Sequence, residues 1–282
     1  MLRIPNLTIW VIFMVFLLPA DSQPIEKKQL VQELVLKSGL RKQLEQIPRN
    51  IHEGFDRHPN INHMSQRKIR QLSRSIDIAF NVDTIENVFY KRFNKDLSIK
   101  DIQTILTWLN SPLGMKITRL EEQAISSEAE QEKTLSLNKL LTDPKAPNRL
   151  KLLQRFETAT NSTDITADLL LNLQIAIIYA ASSAVSVDNP PSFEKITERV
   201  YKNRPQVKEM VSQSSISSFL YTYRDLSDSE LEQYIAFVES QIGLKYYEVV
   251  MKALSESMIS ASKKLGESIA QLTVDDQPPS SI

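Results

Sequence analysis

Two segments of this chain repeat one another without a gap, and this repeat constrains the fold more than any other feature of the sequence. The first runs from Asp96 to Ala124 and the second from Asp225 to Ala253, 129 residues later. Seven of the 29 positions are identical, which is enough to align the copies along their whole length. A chain with such a duplication is expected to consist of two related halves.

Each copy opens with residues that are typical of a helix start. Ser98 is followed three positions later by Asp101, and Ser227 by Glu230. In such a capping box the hydroxyl accepts a hydrogen bond from a backbone N–H of the first turn, and the acid accepts one from the N–H of the serine. We therefore predict that a helix begins directly after each serine.

A sharp corner is expected further along each copy. Pro112 is not compatible with the interior of a helix, but it fits the first position of a new helix that Ser111 would cap. The second copy has Gln241 in place of the proline, so its corner is less strongly required. Gly114 and Gly243 fall in the first turn of the new helix, where a missing side chain indicates close contact with the preceding helix.

The rest of the chain also favours helices. Only five of the 282 residues are glycine, so few positions can form the tight turns of a β-sheet protein. Apolar residues recur at helical spacing instead, and no long alternating run is present. The predicted fold class is all-α, a helical bundle made of two related halves that each contain a capped helix–corner–helix motif. Further helices are predicted over Leu40–Phe55, Leu150–Ala159, Ile165–Val185, Phe193–Asn203 and Gln206–Tyr223.

The first 22 residues have the three parts of a secretory signal peptide. Arg3 supplies a positive charge, Leu7–Leu18 is almost entirely apolar, and the small residues Ala20 and Ser22 precede a cleavage site before Gln23. Twelve residues are too few to span a membrane, so cleavage is favoured over an uncleaved anchor. The expected location is periplasmic or extracellular, and no integral membrane segment is expected after cleavage.

The predicted domain boundaries follow from the repeat and from the prolines. The first helical half is placed at 23–141 and the second at 150–272. A linker is placed at 142–149, which contains two prolines, and a disordered tail at 273–282.

The corner motif also resembles a known family. Trp108 with Ser111–Lys116, and Phe237 with Ser240–Lys245, are similar to the signature of the bacterial secreted family called domain of unknown function 2059. Leu34–Leu40 is similar to the opening helix of that family. The resemblance implies a helical protein of the bacterial cell envelope, and it supplies no activity and no functional residues.

Two groups of polar residues are candidate sites. Ser111, Gly114 and Lys116, with their equivalents in the second copy, could hold an anion at a helix start. A capped corner with a solvated lysine is the favoured interpretation, because a P-loop needs a glycine-rich loop that is missing here.

The three histidines are the second group. His52, His58 and His63 lie close together in the sequence, with Glu53 and Asp56 nearby. A metal site is conceivable from such ligands, but their spacing matches no known pattern and a solvated loop is favoured. No catalytic, cofactor-binding or metal residue is therefore assigned, and no cofactor is expected.

Composition excludes several classes of function. Lys and Arg together number 34, as do Asp and Glu, and this balance argues against a nucleic-acid-binding protein. The absence of cysteine excludes disulfides and thiolate chemistry. No nucleophile motif is present either.

Three functions stay open. The favoured hypothesis is a non-enzymatic exported protein that binds an unknown protein partner of the cell envelope or serves as a scaffold there. The first alternative is a carrier of an apolar small molecule, with a cavity beside Ile175–Val185, although a buried central helix is the favoured interpretation of that segment. The second alternative is a hydrolase that uses carboxylates.

Overall fold

A computed structural model describes residues 23–56, 65–185 and 192–274, and within these ranges every regular element is a helix. The predicted all-α fold class is therefore confirmed. The helices are α1 (Gln23–Lys37), α2 (Leu40–Asp56), α3 (Gln66–Ala79), α4 (Val82–Asp96), α5 (Ile99–Leu109), α6 (Pro112–Ala124), α7 (Ser127–Leu141), α8 (Ala146–Thr160), α9 (Ser162–Val185), α10 (Phe193–Tyr201), α11 (Arg204–Thr222), α12 (Asp228–Glu239) and α13 (Gln241–Val274).

Both copies of the repeat fold as helix, corner, helix. The first copy forms α5 and α6, and the second forms α12 and α13. Each predicted capping box is present, with reciprocal hydrogen bonds between Ser98 and Asp101 and between Ser227 and Glu230. At both corners a serine hydroxyl accepts a hydrogen bond from a glycine N–H, and this includes the copy without proline.

Some predicted boundaries differ from the observed ones. The predicted linker 142–149 is too long, because α8 begins at Ala146 and holds Pro147 in its first turn, where a helix tolerates proline. The predicted tail begins too early, because α13 extends to Val274. The predicted signal peptide, 1–22, and the rest of the tail, 275–282, lie outside the described residues.

The two copies of the repeat exchange their second helices. Each copy packs its second helix into the hydrophobic core that contains the first helix of the other copy. The first core is built from α1 to α5 and is completed by α13, which contributes buried residues such as Ala253 and Leu265. The second core is built from α8, α11 and α12 and is completed by α6, through Ile117 and Leu120. The segments 23–141 and 150–272 therefore do not form separate cores.

A third, smaller core joins α9 to α10. Ile175 of α9 is buried there against Ile196 and Val200. Most side chains of the apolar segment that follows Ile175 lie outside the described residues. No helix within the described ranges is long and apolar enough to cross a membrane.

Candidate functional site

The two copies of the repeat are joined by a reciprocal pair of ion pairs. The Nζ atom of Lys116 lies 2.7 Å from Oε1 of Glu230, and that of Lys245 lies 2.6 Å from Oδ2 of Asp101. In each pair the lysine of one copy contacts the helix-capping acid of the other, at positions that differ by the repeat offset of 129. Contacts of this self-complementary kind are those that a two-fold axis produces.

Aromatic rings at equivalent positions stack between the copies. The ring of Trp108 lies parallel to that of Phe237, with a centroid distance of 4.4 Å and an angle of 8°. A Cβ atom on Gly114 would overlap the carbonyl oxygen of Trp108, and one on Gly243 would overlap that of Phe237. The predicted close contact between helices at both glycines is confirmed.

This arrangement decides between the two interpretations of the corner. The Ser111 hydroxyl caps the N–H of Gly114, at 3.0 Å, and Lys116 is engaged by Glu230. The groups that could hold an anion therefore have partners within the protein, and the lysine is ion-paired rather than solvated. The contacts favour a structural corner over an anion site.

A cavity of about 430 Å³ lies where the copies meet, and the sequence analysis did not predict it. It is lined by residues of α2, α5, α6, α8, α9, α11, α12 and α13, so it exists only in the assembled fold. Aromatic side chains dominate one part of its wall, among them Phe156, Phe219, Tyr223, Tyr234, Tyr246 and Tyr247.

One carboxyl group faces a network of hydroxyl groups in this cavity. Glu121 of α6 accepts hydrogen bonds from the hydroxyls of Tyr223, at 2.8 Å, and Tyr234, at 2.9 Å. Both hydroxyls contact the same carboxyl oxygen, Oε1. The Tyr234 hydroxyl also lies 2.6 Å from that of Tyr247.

Burial sets the protonation behaviour of this network. Burial raises the pKa of Glu121, the two tyrosine hydrogen bonds oppose that effect, and the neighbouring Glu122 raises the pKa further. Burial together with the charge of Glu121 raises the pKa of Tyr223 and Tyr234 well above the ordinary value. At neutral pH the tyrosines therefore remain protonated donors, and their hydrogen bonds stabilise the ionised form of the carboxyl group against the effect of burial.

A single carboxyl group is present among the described residues of the cavity wall. Among the described residues that line it, Glu121 is the only acid, and none is lysine, arginine or histidine. The Oγ atom of Ser162, which also lines the cavity, is shielded from solvent and has no hydrogen-bond partner within the described ranges. Such a site can bind and orient a small molecule, but its described lining residues do not include the pair of acids that a carboxylate-based hydrolase needs.

A second, shallower depression of about 570 Å³ lies on the outer face of the stacked rings. It includes Trp108 and Phe237 together with another equivalent pair, Leu113 and Ile242. The nearby apolar residues of the two corners, Met115 and Leu244, are 49% and 46% exposed, so both copies present an apolar side chain to solvent.

The described residues do not support a metal site at the three histidines. His52 contacts Asp77 of α3, with 2.7 Å between Nε2 and Oδ1, rather than Asp56 of its own helix. His58 and His63 lie outside the described residues. Within the part of the chain that the structure describes, no group of three potential metal ligands is present.

Comparisons with protein-family models, with curated proteins and with solved structures each found no match to this chain. The resemblance of the corner motif to the domain of unknown function 2059 therefore stays a prediction.

Proposed function

We propose that this chain is an exported, non-enzymatic binding protein that holds a small, partly apolar molecule in the cavity between the two copies of its repeat. The observation that carries the proposal is the 430 Å³ cavity with an aromatic wall and a single carboxyl group. Small-molecule sites in proteins commonly have this size, with mostly apolar walls and a few polar groups that fix orientation.

The position of the cavity departs from the carrier hypothesis of the sequence analysis. That hypothesis placed a cavity beside Ile175–Val185, whereas the described lining residues come from other parts of the chain. Export to the periplasm or the extracellular space is part of the proposal and rests on the sequence of residues 1–22 alone.

The chemistry of the cavity favours binding over catalysis. Glu121 is held by two tyrosine hydroxyls, and no second acid, histidine or lysine faces it among the described lining residues. General acid–base catalysis by carboxyl groups usually needs a second group with a different pKa.

Native mass spectrometry of the exported protein tests the proposal. We expect extra mass on the folded protein that is released on unfolding. Ala124 lines the cavity, so the variant Ala124→Phe should fill it and remove the extra mass. Ala236→Phe makes the same change on the exposed surface of α12 and should retain it. Extra mass that survives in Ala124→Phe would contradict the location of the site.

A second candidate function is the binding of a protein partner of the cell envelope. The depression at Trp108 and Phe237, with the exposed side chains of Met115 and Leu244, is the observation that favours it. Cross-linking in the cell envelope, compared between the wild type and Met115→Asp/Leu244→Asp, tests this function. A partner that is captured equally by both proteins would contradict it.

A further inference from the structure

We infer that the ligand of the cavity is an organic cation, a small molecule that places an ammonium group at Glu121 and an apolar remainder against the aromatic wall. This inference rests on the proposed function and narrows it to one chemical class.

The geometry of the carboxyl group favours a charged donor. The hydroxyls of Tyr223 and Tyr234 both donate to Oε1 of Glu121. They fix the orientation of the carboxyl group and leave Oε2 for another donor. A charged donor at this oxygen would form a charge-assisted hydrogen bond, which is about twice as strong as a neutral one.

The charge balance of the cavity favours a cation over an anion. When Glu121 is ionised, no described lining residue carries a compensating positive charge. The adjacent acid, Glu122, has its own partner, because its Oε2 lies 2.6 Å from Nζ of Lys42. A half-buried carboxylate with no opposite charge beside it is costly, so a cationic ligand is favoured and an anionic ligand is opposed.

The wall beside the carboxyl group fits the apolar part of such a ligand. The rings of Phe156, Tyr223 and Tyr234 lie 5.1 to 5.8 Å apart between centroids, so they form one packed aromatic cluster beside the carboxyl group. Aromatic rings are compatible with both the apolar part of such a molecule and its cationic head. The amide groups of Gln43, Gln46 and Asn50 lie on the α2 side of the cavity and add neutral polar contacts.

The test is isothermal titration calorimetry of the exported protein at pH 7 with four probes that share one alkyl chain. Hexylamine and hexyltrimethylammonium are cations, hexanol is neutral, and hexanoate is an anion. We expect at least one cation to bind roughly tenfold or more tightly than hexanol, which corresponds to about 1.4 kcal/mol, and hexanoate to bind most weakly. Whether the amine or the quaternary probe binds more tightly distinguishes the two kinds of ammonium group.

The matched variants are Glu121→Gln and Glu122→Gln. Glu121→Gln keeps an acceptor oxygen for the tyrosines but removes the charge, so it should bind hexanol and the cations equally. Glu122→Gln removes a charge one residue away that does not line the cavity, and it should keep the preference for cations. Circular dichroism and thermal melting establish that each variant is folded.

The pH dependence of ligand binding to the wild type also tests whether the charge of Glu121 causes the preference for cations, without any substitution. Burial raises the pKa of Glu121, so this group should become neutral at a higher pH than an exposed glutamate does. As the pH is lowered and Glu121 is neutralised, the preference for cations should be lost while hexanol binding persists.

The possible failures are distinguishable. Binding of hexanol or hexanoate with no preference for a cation would overturn the ligand class and leave the proposed binding function intact. If Glu121→Gln retains the preference for cations, the ligand class is likewise overturned and the proposed binding function stays intact. If none of the four probes binds, both the ligand class and the binding function at this cavity are overturned.

Discussion

Replacement of Gly114 or Gly243 by alanine should destabilise the protein, although alanine is the better helix former. A Cβ atom on Gly114 would overlap the carbonyl oxygen of Trp108 and lie 3.0 Å from Cα of Leu109. At Gly243 the added atom would overlap the carbonyl oxygen of Phe237 and lie 2.7 Å from that of Val238. These neighbours are backbone atoms, so no side-chain rotation can relieve the overlap.

The magnitude follows from two opposing terms. Overpacking in a tight site costs about 1–3 kcal/mol, and backbone neighbours place this site at the upper end of that range. The better helix propensity of alanine returns up to about 1 kcal/mol. We therefore expect each variant to lose about 2 kcal/mol of unfolding free energy, which lowers Tm by about 4–8 °C in a chain of this size.

Thermal and urea unfolding followed by circular dichroism measure this loss, with Gly54→Ala as the matched control. A Cβ atom on Gly54, in α2, would meet no other atom within 4 Å. Gly54→Ala should therefore gain up to about 1 kcal/mol from propensity alone. A Tm for Gly114→Ala and Gly243→Ala at or above that of the wild type would refute the close contact of the helices at the corners.

Three further predictions concern the exchange of helices. Burial raises the pKa of Asp101, but the hydrogen bonds from Lys245 and Ser98 outweigh burial and lower the pKa to about 2 from an ordinary value of 3.8. The carboxylate therefore adds stability above pH 4 that is lost as the pH falls toward 2. The free energy of urea unfolding of Asp101→Asn should depend less on pH between 4 and 2 than that of the wild type. The Lys116–Glu230 pair is partly exposed, so a double-mutant cycle should give a coupling energy below about 1 kcal/mol. A larger coupling energy would contradict the weak contribution expected of a partly exposed ion pair. A fragment of residues 23–141 should lack cooperative unfolding by circular dichroism because α13 completes its core, whereas a cooperative transition would contradict the exchange of helices.

Local features of the fold could be predicted because their determinants are close together in the sequence. The capping box at Ser98 and the corner at Pro112 depend on residues within four positions of one another. The close contact at Gly114 could be predicted from the glycine itself, because a missing side chain in the first turn of a helix indicates a close neighbour. The start of α8 was missed because Pro147 fits both a linker and the first turn of a helix.

The candidate site could not be predicted, because it depends on which helices pack together. Glu121 is one of many acids in the sequence, and its tyrosine partners are more than 100 residues away along the chain. Apolar periodicity shows that α13 is buried on one face, but it does not show that α13 completes the core of the first segment. That exchange brings Tyr247 into the cavity.

The differences between the copies fit the proposal that the cavity binds a ligand. The identical residues are those that build the scaffold, such as the capping serines, the corner glycines and the lysines of the reciprocal ion pairs. At three equivalent positions of α6 and α13 that line the cavity, the two copies differ. One copy has Ile117, Thr118 and Glu121 there, and the other has Tyr246, Tyr247 and Val250. A cavity that only filled space between symmetric helices would have no need of a carboxyl group on one side and tyrosine hydroxyls on the other. A ligand with one charged end and one apolar end would require that asymmetry.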